Sequence, residues 1–173
     1  MRHYLRQGRI GLLLVTAVFL LSGCGVKTAD EYRHAVRVSC FLFSTVDSFE
    51  VERPFADVTT TLKKKTKECL DVTVRLICTN CIGGGESKHI FRPTFIANPD
   101  RTEVHLQLKR TEVIAIGAPP EGAYVIVLDA APVDKKRTKI DIYRQSPDEK
   151  FIHNAMRGWV KGDNMGCPDL TTH

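Results

Sequence analysis

Between residues 72 and 144, apolar side chains recur at every second position in one short run after another, and turn residues separate the runs. Period two belongs to strands, and connections of hairpin length force neighbouring strands to run antiparallel. Val72, Val74, Leu76 and Cys78 alternate with Asp71, Thr73 and Arg75, and the chain then turns at Gly83-Gly84-Gly85. The next run, 87–97, contains Pro93, which cannot donate to a ladder and so marks a sheet edge or a bulge. Asn98-Pro99-Asp100 leads into 103–109, where Val104, Leu106 and Leu108 share one face opposite Glu103, His105 and Gln107. After Pro119-Pro120-Glu121-Gly122 come strands at 123–130 and 139–144, joined by a charged turn at 134–137. These residues predict a largely antiparallel meander. By parity His89 and His105 face outward, and Asp129, at the end of its apolar strand, reads as the cap of a turn.

Helices flank the meander. Val36, Val38, Cys40 and Leu42 alternate with polar neighbours and predict a first strand, and a second at 49–52 runs into Arg53-Pro54. Proline fits the first turn of a helix, and Phe55, Val58, Leu62 and Cys69 then fall on one stripe up to about Leu70. Ser146-Pro147-Asp148-Glu149 is a helix start in which Ser146 caps and Glu149 reaches back. The helix that follows puts Phe151, Ile152, Ala155, Met156, Trp159 and Val160 on one side, and Gly162 stops it. Together these make an α+β domain, with a proline-led first helix and a C-terminal amphipathic helix packed on an antiparallel meander sheet. The aromatic and methionine stripe reads first as core, with a candidate ligand groove beneath Phe151, Met156 and Trp159.

The N-terminus carries Arg2, Arg6 and Arg9 ahead of an apolar run at 10–21. That build is a secretory leader, because a spanning helix needs about 20 apolar residues. Leu21-Ser22-Gly23-Cys24 resembles the lipobox of bacterial lipoproteins. The resemblance implies cleavage after residue 23 and acylation of Cys24 with palmitate-type chains; the polar, charged residues that follow read as a tether over 24–34, and the length of the remainder fits a single domain over 35–173. Glycine at position 25, in place of an aspartate resembling the inner-membrane retention signal, implies the periplasmic face of the outer membrane. The whole chain holds 25 basic and 20 acidic residues. Three of the basic residues are leader arginines, leaving 22 against 20, a net charge of +2 for the mature part. Lys63-Lys64-Lys65 with Lys67, and Lys135-Lys136-Arg137, read as a solvated helix face and a turn, so no nucleic acid is expected as partner. The expected partner is the membrane, through acyl chains on Cys24, with room for an envelope protein; the sequence leaves the oligomeric state open.

The stretch from Phe49 to Val58, a strand delivering a proline-led helix, resembles the opening of helix-grip domains of the lipid-transfer and birch-allergen type. The chain also resembles small Gram-negative envelope lipoproteins with a cysteine on the first helix and a Cys-Pro near the end, here Cys69 and Cys167-Pro168. With Cys24 set aside, five cysteines remain: Cys40, Cys69, Cys78, Cys81 and Cys167. An oxidising compartment favours pairing. Cys69 with Cys167 is the expected disulfide. Cys78 and Cys81 either close a small loop, or one of them joins Cys40. Cys78-Thr79-Asn80-Cys81 also admits a thiol-disulfide oxidoreductase, although glycines follow instead of the helix N-terminus that depresses a thiol pKa. Zinc would need further ligands that His89 and His105, standing singly, do not supply. No nucleophile elbow, phosphate loop or zincin motif occurs, so neither enzyme activity, metal nor cofactor is expected. The expected function is non-catalytic binding or scaffolding at the envelope. The alternative is a carrier of an apolar or lipid-like ligand in a groove between sheet and helix.

Overall fold

The structure, a computed structural model, describes residues 26–40, 43–78, 85–111 and 118–171. Its elements in chain order are α1 (Ala29–Arg37), β1 (Thr45–Val51), α2 (Phe55–Leu70), β2 (Thr73–Cys78), β3 (Gly85–Ala97), β4 (Thr102–Arg110), β5 (Ala123–Pro132), β6 (Thr138–Arg144), a 3-10 turn (Pro147–Glu149) and α3 (Lys150–Lys161). The six strands form one antiparallel sheet in the order β1-β6-β5-β4-β3-β2. This is the expected α+β, helix-grip-like arrangement. Pro93 sits where expected, since β2 pairs with β3 only as far as Ile90 and the rest of β3 is a sheet edge.

One face of the sheet carries the main core. Val104, Leu106, Ile126, Leu128, Ile140 and Ile142 pack there against Val58 and Leu62 of α2 and Ile152, Met156 and Trp159 of α3, all of them almost fully buried. The two helices are fastened by polar contacts as well. Arg53 donates to the Trp159 and Val160 carbonyls at 3.0 Å each, satisfying the open end of α3. Gly162 then ends that helix in the left-handed conformation, φ 86°, with Asp163 N–H donating to the Gly158 carbonyl at 3.0 Å. At the other sheet edge Asp47 of β1 holds both His153, at 3.0 Å, and Arg157 of α3. The expected disulfide is present: Cys69 on α2 bonds Cys167, across 98 residues of sequence, and ties down the segment after α3. Trp159 Nε1 donates to the Met165 and Gly166 carbonyls of that segment.

The N-terminal reading is corrected. Residues 29–37 form a helix where the sequence predicted a tether through residue 34 and a strand from residue 36. Thr28 and Glu31 make a reciprocal capping box: Glu31 N–H donates to the Thr28 hydroxyl at 3.2 Å, and Thr28 N–H to the Glu31 carboxylate at 3.1 Å. Ala29, Tyr32 and Val36, at helical spacing, are buried against Val127 and Tyr143 on the sheet face opposite the main core. The apparent period of two at 36–40 therefore belongs to the end of a helix and the turn after it, and the fold starts before residue 35. Because α1 roofs that second face, the domain has three layers.

Candidate functional site

Where the end of β4, the start of β5 and the turn before α3 converge, they line a half-open cavity of about 570 Å³. Its apolar wall includes Leu108, Pro119, Ala123 and Val125; Gln145 and Glu149 are polar members from the turn before α3, and Lys109, Arg110 and Thr111 add polar groups at the end of β4. Two backbone features shape it. Leu106 faces Ile126 while Gln107 faces Tyr124, so Val125 is the extra residue of a β-bulge. Gly122 adopts φ +111°, and a Cβ there would lie 2.4 Å from the Leu108 carbonyl carbon, so a side chain is excluded. Gln107 holds this corner by donating to the Gly122 carbonyl at 3.1 Å, and Lys109 by donating to the Pro120 carbonyl at 3.0 Å.

Glu149 is the unusual group in this wall. It is 8% exposed, and among the described residues its Oε2 has no hydrogen-bond partner. Burial pushes its carboxyl from the ordinary 4.5 up to about 7, against the backbone amides of Glu149 and Ser146 and the more distant Arg144, which pull it down; neighbouring Asp148 adds to the rise. Behind the wall, Tyr32 of α1 donates its hydroxyl to the Val125 carbonyl at 2.6 Å. Burial first, and the Glu149 charge second, push the Tyr32 phenol far above its usual range, so it stays a donor.

A second polar cluster lies between α1 and the sheet. Arg33, 7% exposed, forks onto Asp129 with bonds of 2.9 and 2.7 Å, and also pairs with Glu103 and with Asp30. Arg101 adds a contact to Asp129 at 3.0 Å and one to Glu103 at 3.2 Å, and His105 reaches Glu103 at 2.8 Å. Burial alone would raise the Glu103 carboxyl; hydrogen bonds from His105 and Arg33 outweigh it and leave the group below its usual value. Every carboxylate here meets a guanidinium, so the cluster fastens α1 to the sheet.

The residues singled out in the sequence fare unevenly. Met156 and Trp159 are fully buried in the core and Phe151 is 57% exposed, and none of the three lines the cavity. The groove expected beneath them is filled by packing. Cys24, Cys81, the Gly83-Gly84 turn and the side chain of Cys78 lie outside the described residues, while Cys40 is disulfide-bonded. His105 is buried because α1 covers the face that parity marks as outward. His89, 4% exposed, lies on the same side of β3 as Phe91 and thus faces the main core. Asp129 is an ion-pair partner within β5, not a turn cap. Glu149 is placed close to its expected role, since the Ser146 amide faces its carboxyl, but its burial at a cavity went unread. Arg33 was missed altogether.

No family model matches the chain, and no curated protein does. Among solved structures, a conserved protein from Geobacillus kaustophilus is 12% identical with a TM-score of 0.37, covering 69% of this chain and 93% of its own. Ara h 8.0201 is 8% identical with a TM-score of 0.36, covering 69% and 95%. Norcoclaurine synthase from Thalictrum flavum, solved with dopamine and hydroxybenzaldehyde, is 11% identical with a TM-score of 0.30, covering 69% and 84%. Overlaps this loose carry neither ligand nor chemistry over to this chain.

Proposed function

We propose that this chain is a binding protein anchored through acylated Cys24 at the periplasmic face of the outer membrane, and that it takes an apolar or lipid-like small molecule into the cavity walled by Leu108, Ala123, Val125 and Glu149. The observation that carries the reading is the cavity itself. A mostly apolar concavity of several hundred Å³ with a few convergent polar groups is the usual form of a small-molecule site, and here the bulge at Val125 and the positive φ of Gly122 shape its wall. The role is binding and not catalysis, with the charged cluster around Arg33 serving to hold α1. No described helix is long and apolar enough to cross a membrane, and acyl chains on Cys24 supply the attachment in this reading. From Cys24 to the start of α1 at Ala29 the chain can span at most about 18 Å, which keeps the domain against the lipid surface.

Native mass spectrometry of protein extracted gently from the envelope tests the cavity. A retained apolar adduct is expected, and Ala123→Trp, which fills the space, should remove it. Protein that flies without adduct in both forms contradicts the carrier role. Labelled palmitate tests the anchor: it should enter the wild-type chain and not Cys24→Ser, and equal membrane retention of the two forms defeats that part.

A further inference from the structure

We infer that Glu149 is the recognition group of the cavity and that the ligand is an amphiphile whose head carries a protonated amine. This rests on the cavity being the binding site. Glu149 combines three properties: it lines the cavity, it is more than nine-tenths buried, and its Oε2 has no hydrogen-bond partner among the described residues. A buried carboxyl oxygen without a donor is costly, and a purely hydrocarbon ligand would leave that cost in place. The terminal torsion of a glutamate is soft, so a turn of the carboxyl group presents Oε2 to a donor arriving in the cavity.

The surroundings decide the sign of the charge. The groups that act on Glu149 are Tyr32 from α1, Arg144 at the end of β6, and Asp148 beside it in the turn; Lys109 and Arg110 of β4 also line the cavity, but both are exposed to solvent and Lys109 Nζ is bonded to the Pro120 carbonyl. Tyr32 spends its hydroxyl on the Val125 carbonyl, Asp148 adds negative charge, and Arg144 acts only as the weakest of the influences on Glu149. The carboxylate therefore has no cation bonded to it, and burial above all raises it to about 7. An ammonium head supplies both the missing charge and up to three N–H donors, and charge-assisted bonds are the stronger kind. A carboxylate head would set a second negative charge against the first. The apolar wall of Leu108, Ala123, Val125 and Pro119 suits the tail.

The test is calorimetric titration of the full chain at pH 8 with octylamine, octanol and octanoate, which share one tail and differ in head. Octylamine should bind at least tenfold more tightly than octanol, about 1.4 kcal/mol. Glu149→Gln should bring octylamine to the octanol level, with an unchanged far-UV circular-dichroism spectrum showing that the variant is folded, and Glu149→Asp should keep part of the preference. Equal binding of octylamine and octanol by the wild type, or tightest binding of octanoate, overturns this inference and leaves the cavity reading standing. If none of the three binds, the cavity reading itself fails.

Discussion

Replacing Glu149 by glutamine should stabilise the protein, and only above a definable pH. The carboxyl titrates near 4.5 when unfolded and near 7 in the folded domain, so between those values the folded state holds a proton that the unfolded state has released. Stability from this group is therefore greatest below about pH 4.5, falls as the pH rises toward 7, and is level above. The rise corresponds to about 3 kcal/mol lost at pH 8 relative to pH 4. Burial is the dominant cause, with Asp148 adding to it and Arg144 opposing it. Glutamine cannot ionise, but its amide also leaves a donor unpaired, so the expected gain at pH 8 is about 2 kcal/mol. Urea unfolding of both proteins at a series of pH values measures the difference directly, and every group common to the two cancels. The variant should be about 1 kcal/mol weaker than the wild type near pH 4, cross it a little above pH 5 and lead it at pH 8. A difference that does not change with pH, or a variant weaker at pH 8, would refute the account of Glu149 as a carboxyl buried against its charge.

Arg33→Ala leaves Asp129 and Glu103 buried without their main partner and should cost about 3–5 kcal/mol in chemical denaturation, whereas Arg33→Ala combined with Asp129→Ala should cost less than the sum of the two single changes. Reducing the Cys69–Cys167 bond, or replacing both residues by serine, should cost on the order of 4–5 kcal/mol in the chain-entropy account, because the bond closes a loop of 98 residues; an unchanged melting curve under reductant would contradict this. Met156→Ala should cost about 2–5 kcal/mol, since Met156 is fully buried, while Phe151→Ala on the exposed side should stay within about 0.5 kcal/mol. Losses of similar size for the two would put the groove back beneath α3.

The sequence legibly encodes whatever depends on neighbours along the chain. Alternation marks β2 to β6, Pro93 marks the edge of β3, Pro54 opens α2, and Gly162 closes α3, because each of these effects acts over a few residues. The cysteine pairing came from resemblance and an oxidising address, and it is present. Alternation misled at 36–40, where the end of a helix and its turn imitate a strand, although Thr28-x-x-Glu31 carries a capping-box signature that would have corrected it. Parity misled for His105 because it assumes that one sheet face meets water, and α1 covers that face. Arg33 could not be found this way: its partners Asp129 and Glu103 lie 96 and 70 residues away, and nothing local distinguishes it from a solvated arginine. The cavity is equally non-local. It arises from a bulge at Val125, a positive φ at Gly122 and a carboxyl from the turn before α3, and these meet only in the folded chain.

Amide chemical shifts recorded while octylamine is added to isotope-labelled protein test the central claim most directly, because they locate the ligand residue by residue. The account predicts saturable shifts concentrated at Leu108, Ala123, Val125 and Glu149, with little change at Met156, Trp159 or the exposed face of α3. Saturable shifts centred on Phe151 and α3, or none at the end of β4 and the start of β5, would contradict it.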